Sequence, residues 1–171
     1  GSDIASKAND GVFNNSDNFQ HTSNVDSSPW WEVDLETVSY VEDIHIYNRT
    51  NVSQAVEERL RDFYVLTSIT PIPENGDIME MIKNPSYTST FYGGNVNTEA
   101  VIKIDEMARY VRIHFPENGG NRILHAQEIE VLGCTEIITD PCDSFEATIT
   151  PIGDLNTASG IQFFNALPAG G

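Results

Sequence analysis

Three side chains in this sequence are suited to holding a polar ligand without reacting with it. His21 follows a stretch rich in Asn, Asp and Ser, and a neutral imidazole can accept a hydrogen bond from a hydroxyl. Arg49 and Arg59 each offer a rigid fork of N–H donors, which suits two adjacent oxygens of one ligand. The alternative is an exposed loop histidine and two surface arginines paired with Glu57 or Glu58.

A second chemical feature is the tight turn at Asp10 and Gly11. Such a turn can present a carboxylate together with neighbouring backbone carbonyls, and calcium binds six to eight oxygens of these kinds. Hard oxygen ligands favour Ca²⁺ over Zn²⁺. The alternative is a solvated Asn- and Asp-rich loop with no metal.

No pattern in the chain is typical of a catalytic site. The sequence lacks a G-x-S-x-G elbow, a glycine-rich phosphate loop and an H-E-x-x-H helix. No motif marks a pair of carboxylates as a glycosidase acid and nucleophile. His45, His114 and His125 lie on or beside predicted strands without metal-ligand spacing, and we interpret them as structural. The sequence therefore favours binding over catalysis.

The charge of the chain excludes several classes of partner. Its 171 residues include 9 Lys or Arg and 26 Asp or Glu, which gives a formal net charge of −17. Nucleic-acid binding and docking on anionic lipids both require clustered cations, so neither is expected. No apolar segment approaches the length needed to span a bilayer. With 39% hydrophobic residues the chain is too apolar to be disordered.

The elements that must position these side chains are short strands. Apolar and polar residues alternate at period two in several segments, turn signals are frequent, and no segment has convincing helical periodicity. This pattern predicts an all-β sandwich or barrel. The predicted strands are residues 30–35, 41–47, 63–67, 100–104, 110–115 and 129–132.

The chain divides into a main domain and a shorter C-terminal part. We place the domain at residues 3–133, a linker at 134–144, and either the start of a second β module or a packing tail at 145–171. Cys134 and Cys142 flank Pro141, a spacing that favours a small disulfide loop in an exported protein. The alternative is two unpaired thiols.

Several sequence blocks occur in a fixed order: residues 8–11 (ANDG), 21–22 (HT), 29–35 (PWWEVDL), 46–51 (IYNRTN), 58–60 (ERL), 63–65 (FYV), 108–113 (ARYVRI) and 126–133 (AQEIEVLG). Together they resemble the fucose-binding F-type lectins (fucolectins) and related carbohydrate-binding modules of bacterial exported proteins. These belong to the wider discoidin-like, coagulation-factor type C group. The resemblance implies an eight-stranded β-jelly-roll whose loops at one end bind a sugar with the help of calcium.

The resemblance implies that His21, Arg49 and Arg59 bind the sugar's hydroxyl and ring oxygens. Arg61 is the alternative to Arg59, because the loop at residues 52–57 is longer than in the family pattern. Asn51 stands where the family has an Asp, which weakens the expected support of an arginine. These departures favour a rival hypothesis, a discoidin-like adhesion module that binds a protein or another glycan.

The resemblance also implies a calcium site and an apolar wall for the methyl group of the sugar. For the wall we consider the loop aromatics Phe13, Phe19 and Tyr92. Trp30 and Trp31 are expected to be structural, because strand alternation points them to opposite faces. The implied calcium ligands are the side chains of Asp10, Asn18 and Glu128 and the carbonyls of Lys7, Val12 and Gln127.

We therefore expect a secreted or cell-surface bacterial module that binds fucose or fucose-containing glycans, sulfated or not, and performs no chemistry. A further alternative is a structural spacer in a large exported protein. The family usually has a Ser-rich first strand before the position of Gly1. That strand is absent or nearly so: either the fragment is trimmed, or residues 145–171, a neighbouring domain or a partner chain supply a replacement strand.

Overall fold

The computed structural model describes residues 5–13, 19–23, 26–50 and 52–135. The predictions for Asn18, Asn51, the Cys134–Cys142 pairing and the C-terminal part from residue 136 fall wholly or partly outside these residues. The elements are a 3₁₀ helix (Ala5–Ala8), β1 (Gln20–His21), β2 (Trp30–Tyr47), α1 (Gln54–Glu57), β3 (Arg61–Ser68), α2 (Ile78–Met81), β4 (Thr88–Asn95), β5 (Glu99–His114), β6 (His125–Ala126) and β7 (Glu128–Cys134).

The described strands form two antiparallel sheets. The larger sheet has the strand order β4-β3-β5-β2-β7, and β1 pairs with β6 in a small second sheet. The predicted all-β class is confirmed, and the two α-helices are single turns of four residues. No described helix is long and apolar enough to cross a bilayer.

Strand β2 joins two segments that the alternation pattern separates. Its pairing with β5 is interrupted between Asp34 and Ser39. Asp34 Oδ1 accepts a hydrogen bond from the Glu36 N–H at 2.8 Å, and Glu36 has a φ of 65°. A side chain that bonds its own backbone two residues on makes a local turn, so the period-two pattern is lost there. β5 likewise joins two predicted strands.

The main core lies against the large sheet and includes residues of the small one. Its members include Ile44 and Ile46 of β2, Phe63 of β3 and Ala126 of β6. Trp31 is buried in this core, as expected. These contacts fix β6, and β1 through it, against the large sheet.

Trp30 lies on the opposite face, where Arg112 is fully buried. The Arg112 guanidinium carbon is 4.1 Å from the centre of the Trp30 ring, and Nε donates to Glu32 at 2.8 Å. A second core cluster with Leu66, Ile72 and Ile78 also packs there. Both tryptophans are therefore occupied by packing.

Candidate functional site

His21 is positioned by the small sheet. In the antiparallel pair of β1 with β6, His21 lies opposite His125. The pairing continues at Thr22, whose N–H donates to the Leu124 carbonyl at 2.9 Å and whose Oγ1 accepts from the Leu124 N–H at 3.0 Å. These bonds hold the His21 backbone beside the start of β6.

Arg49 is positioned by Asn48, the residue that follows β2. Asn48 is buried, and its Nδ2 donates to the carbonyls of Glu57 at 2.9 Å and Val96 at 2.6 Å. Its Oδ1 lies 3.2 Å from Nε2 of His125. Asn48 therefore ties the end of β2 to the α1 loop and to β6. Sequence analysis did not single out Asn48. A polar residue at the end of a predicted strand, next to Arg49, was the signal that could have identified it.

Arg59 lies two residues after the end of α1, next to the C-cap residue Glu58. Its N–H donates to the Val56 carbonyl at 3.2 Å, and the next residue, Leu60, is buried in the core. The lengthened loop at residues 52–57 thus contains a helical turn that sets where Arg59 stands. The fallback candidate, Arg61, is exposed and its Nε donates to Asp62 at 2.8 Å.

The three predicted sugar ligands, His21, Arg49 and Arg59, which we call the cradle, all act electrostatically on His125. Burial, followed in decreasing order by the charges of Arg59, Arg49 and His21, lowers the pKa of His125 to about 3. Because Asn48 Nδ2 donates to two carbonyls, its Oδ1 accepts and Nε2 of His125 donates. Nδ1 of His125 is buried without a hydrogen-bond partner among the described residues. His125 is therefore neutral and buried, opposite His21 and bonded to the residue before Arg49.

Phe19 is the aromatic residue that the structure brings to this cradle. The guanidinium carbon of Arg49 lies 3.7 Å from the centre of the Phe19 ring, and the rings of Phe19 and His21 are 6.2 Å apart. Tyr92, on β4, instead stacks on core residue Phe63 with a centroid distance of 5.1 Å. Phe13 meets Tyr47 edge-on at 4.9 Å.

A second arrangement joins the N-terminal turn to the start of β7. Oε1 of Glu128 accepts from the Gly11 N–H at 3.0 Å, and Oδ1 of Asp10 accepts from the Val12 N–H at 3.0 Å. Nε2 of Gln127 donates to the Val12 carbonyl at 3.2 Å. Five of the six implied calcium ligands lie in the described residues, and four of them (Asp10, Val12, Gln127 and Glu128) are brought together by these bonds.

The electrostatics of this turn fit a cation. Glu128 is 3% exposed, and its Oε2 is buried without a partner among the described residues. Burial raises the pKa of Glu128 to about 7; the Gly11 N–H opposes this rise and the charge of Asp10 adds to it. The described residues contain no cluster of three His, Cys, Asp or Glu side chains that could hold a metal. A cation here would need backbone carbonyls, which is the ligand chemistry of calcium.

The family model for the NedA-like, galactose-binding domain of the F5/F8 type C group matches residues 7–113. The chain belongs to this family. The residues matched by the family model include the turn at Asp10, His21, Arg49 and Arg59. His125 and Glu128 lie beyond the matched residues. Comparison with curated proteins gives no significant match.

Solved structures of lectin modules share the fold. The lectin domain of lectinolysin, complexed with Lewis B antigen, is 26% identical, with a TM-score of 0.56 over 75% of this chain and 82% of that one. A Streptococcus pneumoniae fucose-binding module is 25% identical, with a TM-score of 0.56 over 73% and 79%. A fucolectin from striped bass (Morone saxatilis) serum is 28% identical, with a TM-score of 0.56 over 74% and 41%. The chain thus has the β-sandwich architecture of carbohydrate-binding modules.

Proposed function

We propose that this chain is a non-catalytic carbohydrate-binding module of an exported bacterial protein that recognises fucose or fucose-containing glycans. The observation that carries the proposal is the grouping of His21, Phe19 and Arg49: the Phe19 ring lies 6.2 Å from the His21 ring, and the Arg49 guanidinium carbon lies 3.7 Å from the centre of the Phe19 ring. Family membership and the likeness to fucose-binding lectin modules support it.

The cradle offers complementary groups for one deoxy-sugar. The two guanidinium forks donate to adjacent ring and hydroxyl oxygens, and His21 completes the polar contacts. The Phe19 ring, held beneath Arg49, covers the apolar C6 methyl group. Few ligand atoms are buried in such a shallow contact, so the affinity of a single site is weak and gains from multivalency.

Calcium has a supporting role in this proposal. The side chains of Asp10 and Glu128, with the carbonyls of Lys7, Val12 and Gln127, would hold the ion, and the resemblance adds Asn18. When bound, the ion would neutralise the unpartnered Glu128 oxygen and fix the N-terminal turn against β7. Glycans in which the fucose-containing chain also carries sulfate are part of the proposed ligand class.

Isothermal titration with L-fucose, with D-galactose as comparison sugar and with or without EDTA, tests the proposal. We expect heat with L-fucose, weaker heat after EDTA, and loss of binding in His21→Ala and Arg49→Ala. His45→Ala is the matched control, because His45 pairs with Glu99 at 2.7 Å outside the cradle. No L-fucose binding with or without EDTA would overturn the proposal, and binding that persists in either cradle variant would show that the site lies elsewhere.

A further inference from the structure

A pocket of about 490 Å³ lies beside the cradle. Two segments form it: the residues after α1, and the stretch between β5 and β6. Its volume falls within the range of small-ligand sites, roughly 300–1,000 Å³. The residues used below that line it are Glu58, Arg59, Arg61, Asp62, Asn121 and Arg122.

The pocket is continuous with the cradle through Arg59. Arg59 lines the pocket and is also the strongest charge acting on His125. The opposite wall ends at Ile123, and the next residue, Leu124, exchanges two hydrogen bonds with Thr22 beside His21. A ligand in the cradle that extends past Arg59 therefore enters this pocket.

Arg122 is held in the pocket wall as a cation without a carboxylate partner among the described residues. Its Nη1 donates to the carbonyls of Asp62 at 3.1 Å and Pro116 at 3.2 Å, and its Nη2 donates to the carbonyl of Arg61. Its guanidinium carbon lies 4.1 Å from the centre of the Phe115 ring. These contacts fix the guanidinium without a salt bridge among the described residues, and Asp62, whose charge acts on Arg122, already accepts from Gly94 and Arg61.

The two carboxylates of the pocket already have donors. Asp62, at a φ of 46°, accepts from the Gly94 N–H at 2.8 Å and from Arg61 Nε at 2.8 Å. Glu58 accepts from Gln54 Nε2 at 2.6 Å. The lining therefore has three arginines against two engaged acids, a local positive excess in a chain whose net charge is −17.

We propose that this pocket takes the sugar adjacent to the fucose and that an oxyanion on this sugar, a sulfate ester or a carboxylate, binds between Arg59 and Arg122. The proposal rests on the proposed function, because the fucose in the cradle delivers the second sugar to the pocket. Asn121 is exposed at the rim and offers an amide to the same sugar. A guanidinium fork matches both oxyanions, so the two sources differ only in geometry and charge.

Calorimetric titration with four probes tests this assignment: methyl α-L-fucoside, a neutral fucosyl-galactose disaccharide, its sulfated form and its fucosyl-galacturonate counterpart. We expect at least one anionic disaccharide to bind about tenfold more tightly than the neutral one, as for a charge-assisted contact. This preference should shrink as salt rises from 50 to 500 mM. The better anionic probe identifies the source of the oxyanion.

Two variants locate the effect. Asn121→Asp adds a negative charge at the pocket rim and Arg122→Gln removes the cation, and both should abolish the anionic preference while methyl fucoside binding stays unchanged. Asn84→Asp, which adds the same charge at an exposed position outside the pocket, is the matched control. Arg122→Gln loses three hydrogen bonds to backbone carbonyls and could fail to fold. In that case Asn121→Asp alone tests the pocket assignment.

The outcomes separate the two proposals. Equal affinity for neutral and anionic disaccharides, or a preference that survives Asn121→Asp, overturns the pocket assignment and leaves the fucose proposal standing. Failure of methyl fucoside and of every disaccharide to bind overturns both. An anionic preference that disappears in the rim variant but not in Asn84→Asp supports the assignment.

Discussion

The guanidinium carbon of Arg49 lies 3.7 Å from the centre of the Phe19 ring. A cation over an aromatic face is held by the ring quadrupole, and the contact also fixes the plane of the fork. Phe19 precedes β1 and Arg49 follows β2, so two segments distant in sequence build this pair. The contact gives one physical reason why the Arg49 fork holds a fixed orientation at the end of β2.

Phe19→Ala should weaken L-fucose binding about five- to tenfold. The variant removes the ring that orients Arg49 and that we propose to cover the sugar's methyl group, and the two effects together are expected to cost about 1–1.4 kcal/mol of binding free energy. Titration calorimetry measures the change. Phe91→Ala is the matched control, because Phe91 is 53% exposed on β4 and its ring contact is with Tyr64. An unchanged affinity in Phe19→Ala would remove Phe19 from the site.

Arg59→Gln and Arg61→Gln form a pair that distinguishes the two candidates for the second arginine. Arg59→Gln should reduce methyl α-L-fucoside affinity at least tenfold, because it removes a charged donor from the cradle. Arg61→Gln should change it by less than twofold, since Arg61 is exposed and engaged by Asp62. The reverse order of effects would assign the role to Arg61.

Calcium should stabilise the protein through Glu128. A ligand that binds only the folded state raises the free energy of unfolding by about 2.7 kcal/mol at one hundred times its Kd. We expect thermal unfolding in millimolar CaCl₂ to occur several degrees higher than in EDTA, with a smaller effect of MgCl₂. The shift should vanish in Glu128→Gln and persist in Glu130→Gln, whose carboxylate accepts from Tyr47 instead. Equal melting temperatures in calcium and EDTA would contradict the site.

The fold should become less stable as the pH is lowered, because of His114. Burial lowers the pKa of His114 from 6.5 to about 4, with a further contribution from the charge of Arg112, whereas Asp26 and Asp77 act in the opposite direction. The folded state keeps His114 neutral, so below pH 6.5 the unfolded chain takes up the proton first. Stability should therefore decrease from about pH 6.5 towards pH 4, by at most about 1.4 kcal/mol per pH unit from this group.

Urea unfolding at pH 7, 5.5 and 4.5 measures this slope. His114→Gln should show a shallower slope than the natural sequence, because its amide can still donate to Ser28 Oγ, 3.1 Å from His114 Nε2, without titrating. Other titrating groups contribute equally to the pH dependence of both proteins, so their effect cancels when the two slopes are compared. Identical slopes would show that His114 does not control this pH range.

Much of the fold followed from local pattern. The alternation at residues 41–47 predicted a half-buried strand, and Ile44 and Ile46 are buried in the core. The short strands β1 and β6 were missed, because two residues cannot show a period and because their pairing joins segments more than 100 positions apart in the sequence. β4 was also missed, since residues 88–95 contain two glycines and three hydroxyl residues in place of an apolar run.

The sequence by itself determined the family, the all-β class and the candidate side chains, because residue types and short blocks such as residues 29–35 are local properties of the chain. The tertiary structure decided which of those candidates meet. It brought Phe19 to Arg49 and placed Tyr92 on Phe63. It also placed Arg59 in the lining of a pocket together with Arg61 and Arg122. These outcomes depend on strand pairing and burial between distant segments, and no single stretch of sequence contains them.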